Sequence, residues 1–180
     1  MTLFVNACVR GDSRTRRLAE HSLKGPYEEV KLHEIDFPIA DESFLNKRDK
    51  LIASQQFNDP MFNLARQFAQ ADEIVIAAPY WDLSFPASLK QYIEQINVVG
   101  ITFYYTQEGT PKGLCRAKRL TYIMTAGGAY VPEEFGFGYV KTLAQSFYGI
   151  PDVKLIKATG MDIDGADVEA ILSSAKESLD

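Results

Sequence analysis

Cysteine and histidine are scarce in this 180-residue chain, and long apolar runs and basic clusters are missing. Two cysteines, Cys8 and Cys115, cannot build a disulfide framework, a paired C-x-x-C metal site or a four-thiolate cluster within one chain. Cys8, in or just after an apolar run, reads as a packed thiol rather than a nucleophile. The two histidines, His21 and His33, belong to no Ser-His-Asp or Cys-His set and read as structural or exposed. The longest apolar runs, such as residues 74–78, are far shorter than a bilayer span, and the N-terminus lacks a charged region leading into an apolar one. A cytoplasmic protein without a membrane partner is therefore expected. Nineteen Lys and Arg against 24 Asp and Glu give a net charge of -5, and no dense basic patch offers a nucleic acid its footprint.

What is present is a chain that is 46% hydrophobic and 24% charged, the balance expected of one globular domain spanning residues 1–180. Residues 2–7 (TLFVNA) form a β-rich run that Gly11, Asp12 and Ser13 break before a helical spacing of Leu18, Ala19 and Leu23. Residues 30–35 alternate as a second strand, and 36–46, with Pro38, read as loop. Asp59 and Pro60 start a helix carrying Met61, Leu64, Ala65 and Phe68 on one face. The compact run 73–78 (EIVIAA) has the pattern of a strand covered on both faces. Leu89, Tyr92, Ile93 and Ile96 then recur as an amphipathic helix. A fourth strand is expected at 120–126, a helical stretch at 140–148, and a fifth strand at 153–158. A last helix carries the stripe Val168, Ile171, Leu172, Ala175 and Leu179. Strands alternating with helices imply right-handed crossovers, a three-layer α/β sandwich and a ligand beyond the strands' carboxyl ends. Residues 98–119 exceed an ordinary connection and read as a functional excursion or lid.

Three strand-end loops carry the chemistry. In the first (ACVRGDSRT, 7–15), a helix start favours an anion, Ser13 and Thr15 add hydroxyls, and Arg10 and Arg14 offer charge-assisted hydrogen bonds to phosphate. The plainer alternative is a Ser13 N-cap with solvated arginines. Neither the Rossmann G-x-G-x-x-G nor the Lys-bearing P-loop is present. In the second (PYWDLSFP, 79–86), adjacent aromatics follow the most buried strand, as in a pocket for a flat aromatic ligand. Tyr80, Trp81 and Phe85 serving simply as core is the competing reading. In the third, Thr125, Ala126, Gly127 and Gly128, the glycines let backbone approach a ligand closely, although an ordinary turn also wants them.

Together these loops resemble the flavodoxin-like, FMN-dependent NAD(P)H oxidoreductases, the azoreductases and NAD(P)H:quinone reductases, over essentially the whole chain. The most specific stretches are DEIVIAAPYWDLSFPASLKQ (72–91), and GITFYYTQEG, GLCRAKR and TAGGAY within 100–130. The resemblance implies a five-stranded parallel sheet ordered 2-1-3-4-5. It implies FMN phosphate on Ser13, Arg14 and Thr15 with Arg10 nearby, and Pro79, Tyr80, Trp81, Asp82 and Leu83 along the isoalloxazine. Thr125, Ala126, Gly127 and Gly128 would meet its polar edge, where backbone N–H groups can stabilise charge as flavin is reduced. It also implies a homodimer with flavin near the subunit interface, Phe103 and Tyr104 covering the pocket, and Tyr130 as proton donor or ring-edge partner. Two positions depart from the pattern. Cys8-Val9 stands where relatives tend to have Ser and Pro, and Asp82 where many azoreductases have Asn, which exchanges a donor for an acceptor.

The function implied is two-electron, ping-pong transfer from NADH or NADPH through FMN to a quinone, azo or nitroaromatic acceptor, with no side-chain nucleophile needed. The alternatives are a flavodoxin-type electron carrier, an iron-sulfur flavoprotein that would need a cysteine cluster, and a flavin-free binding protein. Nothing in the sequence selects the physiological acceptor or chooses between NADH and NADPH.

Overall fold

The computed structural model describes residues 1–178. Five strands form one parallel sheet: β1 (Thr2–Asn6), β2 (Tyr27–Lys31), β3 (Glu73–Ala77), β6 (Arg119–Thr125) and β7 (Asp152–Ala158). Two short strands, β4 (Phe103–Tyr105) and β5 (Pro111–Gly113), pair antiparallel as a separate hairpin. The expected order 2-1-3-4-5 is therefore corrected to 2-1-3-6-7, because the hairpin lies between the third and fourth strands of the sheet. It grows where Thr106 to Thr110 turn back, Thr106 N–H donating to Thr110 O, with Gly109 at φ 78° taking the left-handed position.

Side chains alternate across the sheet and so build two apolar layers. Leu3, Val5, Ile74, Ile76, Leu120 and Tyr122 pack on one face beneath α3 (Asn63–Gln70), α4 (Ala87–Ile96) and α5 (Phe137–Leu143). Phe4, Val75, Ala77, Ile123 and Ile156 pack on the other, beneath α1 (Arg14–Glu20) and α6 (Val168–Glu177). All four residues of the expected α4 stripe are buried, and β3 is buried from Ile74 onward. Asp59 caps the short helix Pro60–Phe62 by accepting from Met61 N–H, and α3 follows. In α6, Asp167 caps the start and Leu172 and Ala175 are buried, while Leu179 of the expected stripe lies outside the described residues.

Three local expectations need correction. Helix α2 (Glu42–Ala53) occupies part of the stretch read as loop; it buries no residue fully, its apolar face being limited to half-buried positions such as Leu51 and Ile52, and Asp41 caps it at Phe44 N–H. The second strand is Tyr27–Lys31 rather than 30–35, since Leu32–Glu34 turn into a 3-10 helix. The helical stretch at 140–148 begins earlier, at Phe137, and widens into a π turn (Ala144–Tyr148) that Gly149 ends at φ 73°. Among the described residues no helix is long and apolar enough to cross a membrane.

Candidate functional site

The three loops read from the sequence converge on one cleft of about 350 Å³ beyond the carboxyl ends of the strands. Arg10, Ser13, Arg14 and Thr15 of the first loop, Pro79, Tyr80 and Trp81 of the second, and Thr125 and Gly127 of the third all line it. This volume lies within the usual range of a small-molecule site. A larger hollow of about 1220 Å³ along α2 is lined by side chains of one helix and its end, and gathers no such combination.

The first loop is built by the break after β1. Asn6, fully buried, accepts from Cys8 N–H at 2.9 Å and donates to Glu29 at 2.8 Å, which fixes how the chain leaves the strand. Ser13 accepts from Arg16 N–H at 3.3 Å, so it is an N-cap as well as a cleft residue, and its hydroxyl proton can still be offered to a ligand. Thr15 reaches the third loop directly: its hydroxyl lies 2.6 Å from that of Thr125, and both residues are buried. Cys8 is buried and its thiol is pushed up to about 11, chiefly by burial, which makes it a packed thiol.

Strain is concentrated in the second loop. Trp81 and Ser84 exchange backbone hydrogen bonds of 3.1 and 2.8 Å around Asp82 and Leu83, which stand at φ 50° and 65°. Two successive left-handed residues make a primed turn, normally the province of Asn, Asp and Gly. Asp82 is thus explained by its backbone; Leu83 pays the steric penalty outright. The loop is held in place from outside, since Tyr80 donates to Pro132 O and Ser84 to Phe135 O, both at 2.9 Å. Burial raises the Tyr80 phenol above its ordinary range, with Tyr130 and Glu134 nearby adding to the shift. Tyr80 and Phe85 are half-buried against the core, whereas Trp81 is 41% exposed, so only part of this aromatic set serves as packing.

Other expected residues lie elsewhere. Asp82 and Leu83 sit at the exposed turn and, with Ala126 and Gly128, outside the cleft lining. Ala126 is committed to the backbone, its N–H donating to Ala158 O. Tyr130 is 81% exposed on the loop beyond Gly128. Phe103 is buried between Tyr105 and Phe147 at the opposite, amino-terminal edge of the sheet, and Tyr104 is exposed beside it; neither lines the cleft of its own chain.

A fourth loop, after β7, was not foreseen. Met161 and Asp162 line the cleft, and Asp162 accepts from Arg14 Nη1 at 2.8 Å. Backbone bonds from Gly160, Met161 and Asp162 to Gly128, Ala126 and Gly127 strap this loop to the third. A Cβ on Gly127 would collide with the Asp162 carboxylate, which gives that glycine a steric reason. The rule that all parallel strand ends meet at one edge is the signal that would have found it. Among the described residues no group of three His, Cys, Asp or Glu is placed to hold a metal.

This architecture defines a doubly wound α/β protein in which a basic, hydroxyl-bearing loop and an aromatic loop line one cleft. The chain belongs to the family described as having the flavodoxin-like fold, which it matches over residues 1–180. It is 39% identical over 188 residues to an FMN-dependent NADH:quinone oxidoreductase of Lachnoclostridium phytofermentans, covering 97% of this chain and 93% of that one. The protein of the same name from Clostridium beijerinckii is 38% identical over 182 residues, covering 94% and 90%. Among solved structures, an azoreductase from Bacillus anthracis superposes with a TM-score of 0.85 at 26% identity, covering 99% of this chain and 95% of that one.

Proposed function

We propose that this chain is an FMN-dependent NADH oxidoreductase that reduces quinones, azo or nitroaromatic compounds, one substrate leaving before the next enters. The observation that carries this reading is the meeting of a basic, hydroxyl-bearing loop, an aromatic loop and a glycine loop in one cleft. The relatives' names supply the donor and the acceptor class. The donor set suits the group: guanidinium and hydroxyl for a phosphate, and Gly127, without a side chain, for a flat ring. When bound, FMN supplies hydride acceptance and release at N5.

The protein's part is binding, orientation and electrostatics. Arg10, Ser13, Arg14 and Thr15 hold the phosphate. Pro79, Tyr80 and Trp81 would flank the ring, with the turn at Asp82 and Leu83 fixing the backbone of Trp81. With Ala126 N–H already committed, Gly127 N–H, in the cleft lining, is the donor for the ring's polar edge. Tyr130, exposed and near Tyr80, is the residue proposed to meet an acceptor. The chain works as a cytoplasmic homodimer of single-domain protomers, and Tyr104, remote from its own cleft, covers that of a second copy.

Mixing the FMN-loaded protein with NADH or NADPH tests this reading. Rapid loss of flavin absorbance, restored by a quinone, supports it. No bleaching with either nucleotide ends the enzyme reading in favour of an electron carrier. Excess FMN that neither binds nor raises thermal stability ends the site assignment as well.

A further inference from the structure

The phosphate end of the cleft holds two guanidinium groups, Arg10 and Arg14, but also two carboxylates, Asp12 and Asp162. Two guanidinium groups against two carboxylates leave no formal excess of positive charge, so how strongly a phosphate is drawn here depends on how far each carboxylate offsets its guanidinium. Asp162 is the carboxylate the structure builds in most firmly. Its loop is strapped by Asp162 N–H to Gly127 O at 3.0 Å and Gly160 N–H to Gly128 O at 2.9 Å, and its carboxylate fills the space that Gly127 leaves free. It engages Arg14 with one oxygen at 2.8 Å, while both side chains stay part-exposed, at 39% for Arg14 and 70% for Asp162.

Resting on the FMN reading above, we propose that Asp162 is a specificity-determining residue that holds down the cleft's affinity for phosphorylated over unphosphorylated flavin. It positions Arg14 and at the same time offsets part of that residue's charge, so the Arg14 bond to the FMN phosphate is weaker than an unopposed guanidinium would make it. The carboxylate opposes a phosphate sharing Arg14, by an amount that exposure and salt reduce.

Asp162→Asn isolates this effect, because the amide oxygen still accepts from Arg14 while the charge is gone. Wild type and D162N are titrated with FMN and with riboflavin, following flavin fluorescence. The expected result is an FMN Kd lower by about three- to fivefold in D162N, with riboflavin changed less than about twofold and the FMN gap narrowing in 0.5 M NaCl. Unchanged or weaker FMN binding in D162N, or equal tightening of both flavins, overturns the proposal. Wild type failing to bind either flavin overturns the cofactor reading itself, and that outcome is read from the wild-type arm alone.

Discussion

Two tyrosines that meet on one phenylalanine should respond in opposite directions to the same substitution. Tyr92 of α4 and Tyr148, at the end of the π turn, both meet the ring of Phe68 edge-on, at centroid distances of 6.4 and 4.9 Å. Tyr148 Oη donates to Asn97 Oδ1 at 2.7 Å; Tyr92 Oη is buried without a partner. The void beside them is about 10 Å³ and almost wholly apolar, at the lower limit for one water and without polar partners to hold it. An unsatisfied buried hydroxyl costs about 1–3 kcal/mol, whereas an ordinary hydrogen bond contributes about 0.5–1.5 kcal/mol net. Tyr92→Phe should therefore stabilise the protein by about 1–2 kcal/mol and Tyr148→Phe destabilise it by about 1 kcal/mol. For a chain of this length each kcal/mol moves Tm by about 2–4 °C, so thermal melts at pH 7 should separate the two variants by roughly 4–12 °C. Burial also raises both phenols above their ordinary range. A folded-state pKa above the unfolded value gives stability that is full below the unfolded pKa, near 10 for tyrosine, and lost as pH rises past it. Cys8, pushed up to about 11, and Cys115, to about 12, start the decline earlier, near pH 8.5–9. Urea unfolding across pH 7–11 should thus show a plateau and then a fall, with Tyr92→Phe falling less steeply above pH 10. A Tyr92→Phe variant less stable than wild type at pH 7 would refute the unpartnered hydroxyl.

Arg14→Ala should weaken FMN by about tenfold or more, the worth of a charge-assisted bond, and leave riboflavin nearly unchanged; equal losses in a binding titration would remove Arg14 from the phosphate. Gly127→Val should displace the Asp162 loop and lower both FMN affinity and Tm, whereas Gly128→Ala, with open space at its Cβ, should leave Tm close to wild type. Leu83→Gly should raise Tm by relieving about 1 kcal/mol of left-handed strain while lowering turnover, because the turn that holds Trp81 loosens; unchanged Tm and turnover together would show that the strain serves nothing.

How far the sequence could be read follows from where each residue's energy lies. Strand β3 and helix α4 were legible because burial on both faces, or on one stripe, leaves a period in the sequence that nothing else imitates. Helix α2 left a fainter one: no residue is fully buried, and its hold on the domain is the half-buried Leu51 and Ile52 packed against Phe62, Ala65 and Val98, the Asp41 cap, and Arg48, which reaches carbonyls at the end of α4. The three loops were legible as residue types only in combination, since Arg and Ser, aromatics, or Gly at one strand end each have an ordinary use, while all three at neighbouring strand ends point to one cleft. Their roles depend on geometry that is not local: Ser13 caps, Ala126 is spent on β7, and Phe103 lies in a core at the far edge. Asp162 was illegible for the strongest version of that reason. A single aspartate after a strand means nothing until Gly127, distant in the chain, leaves room for its carboxylate beside Arg14. Charge balance at the basic end of the cleft is thus set by a contact between loops that no spacing in the sequence records.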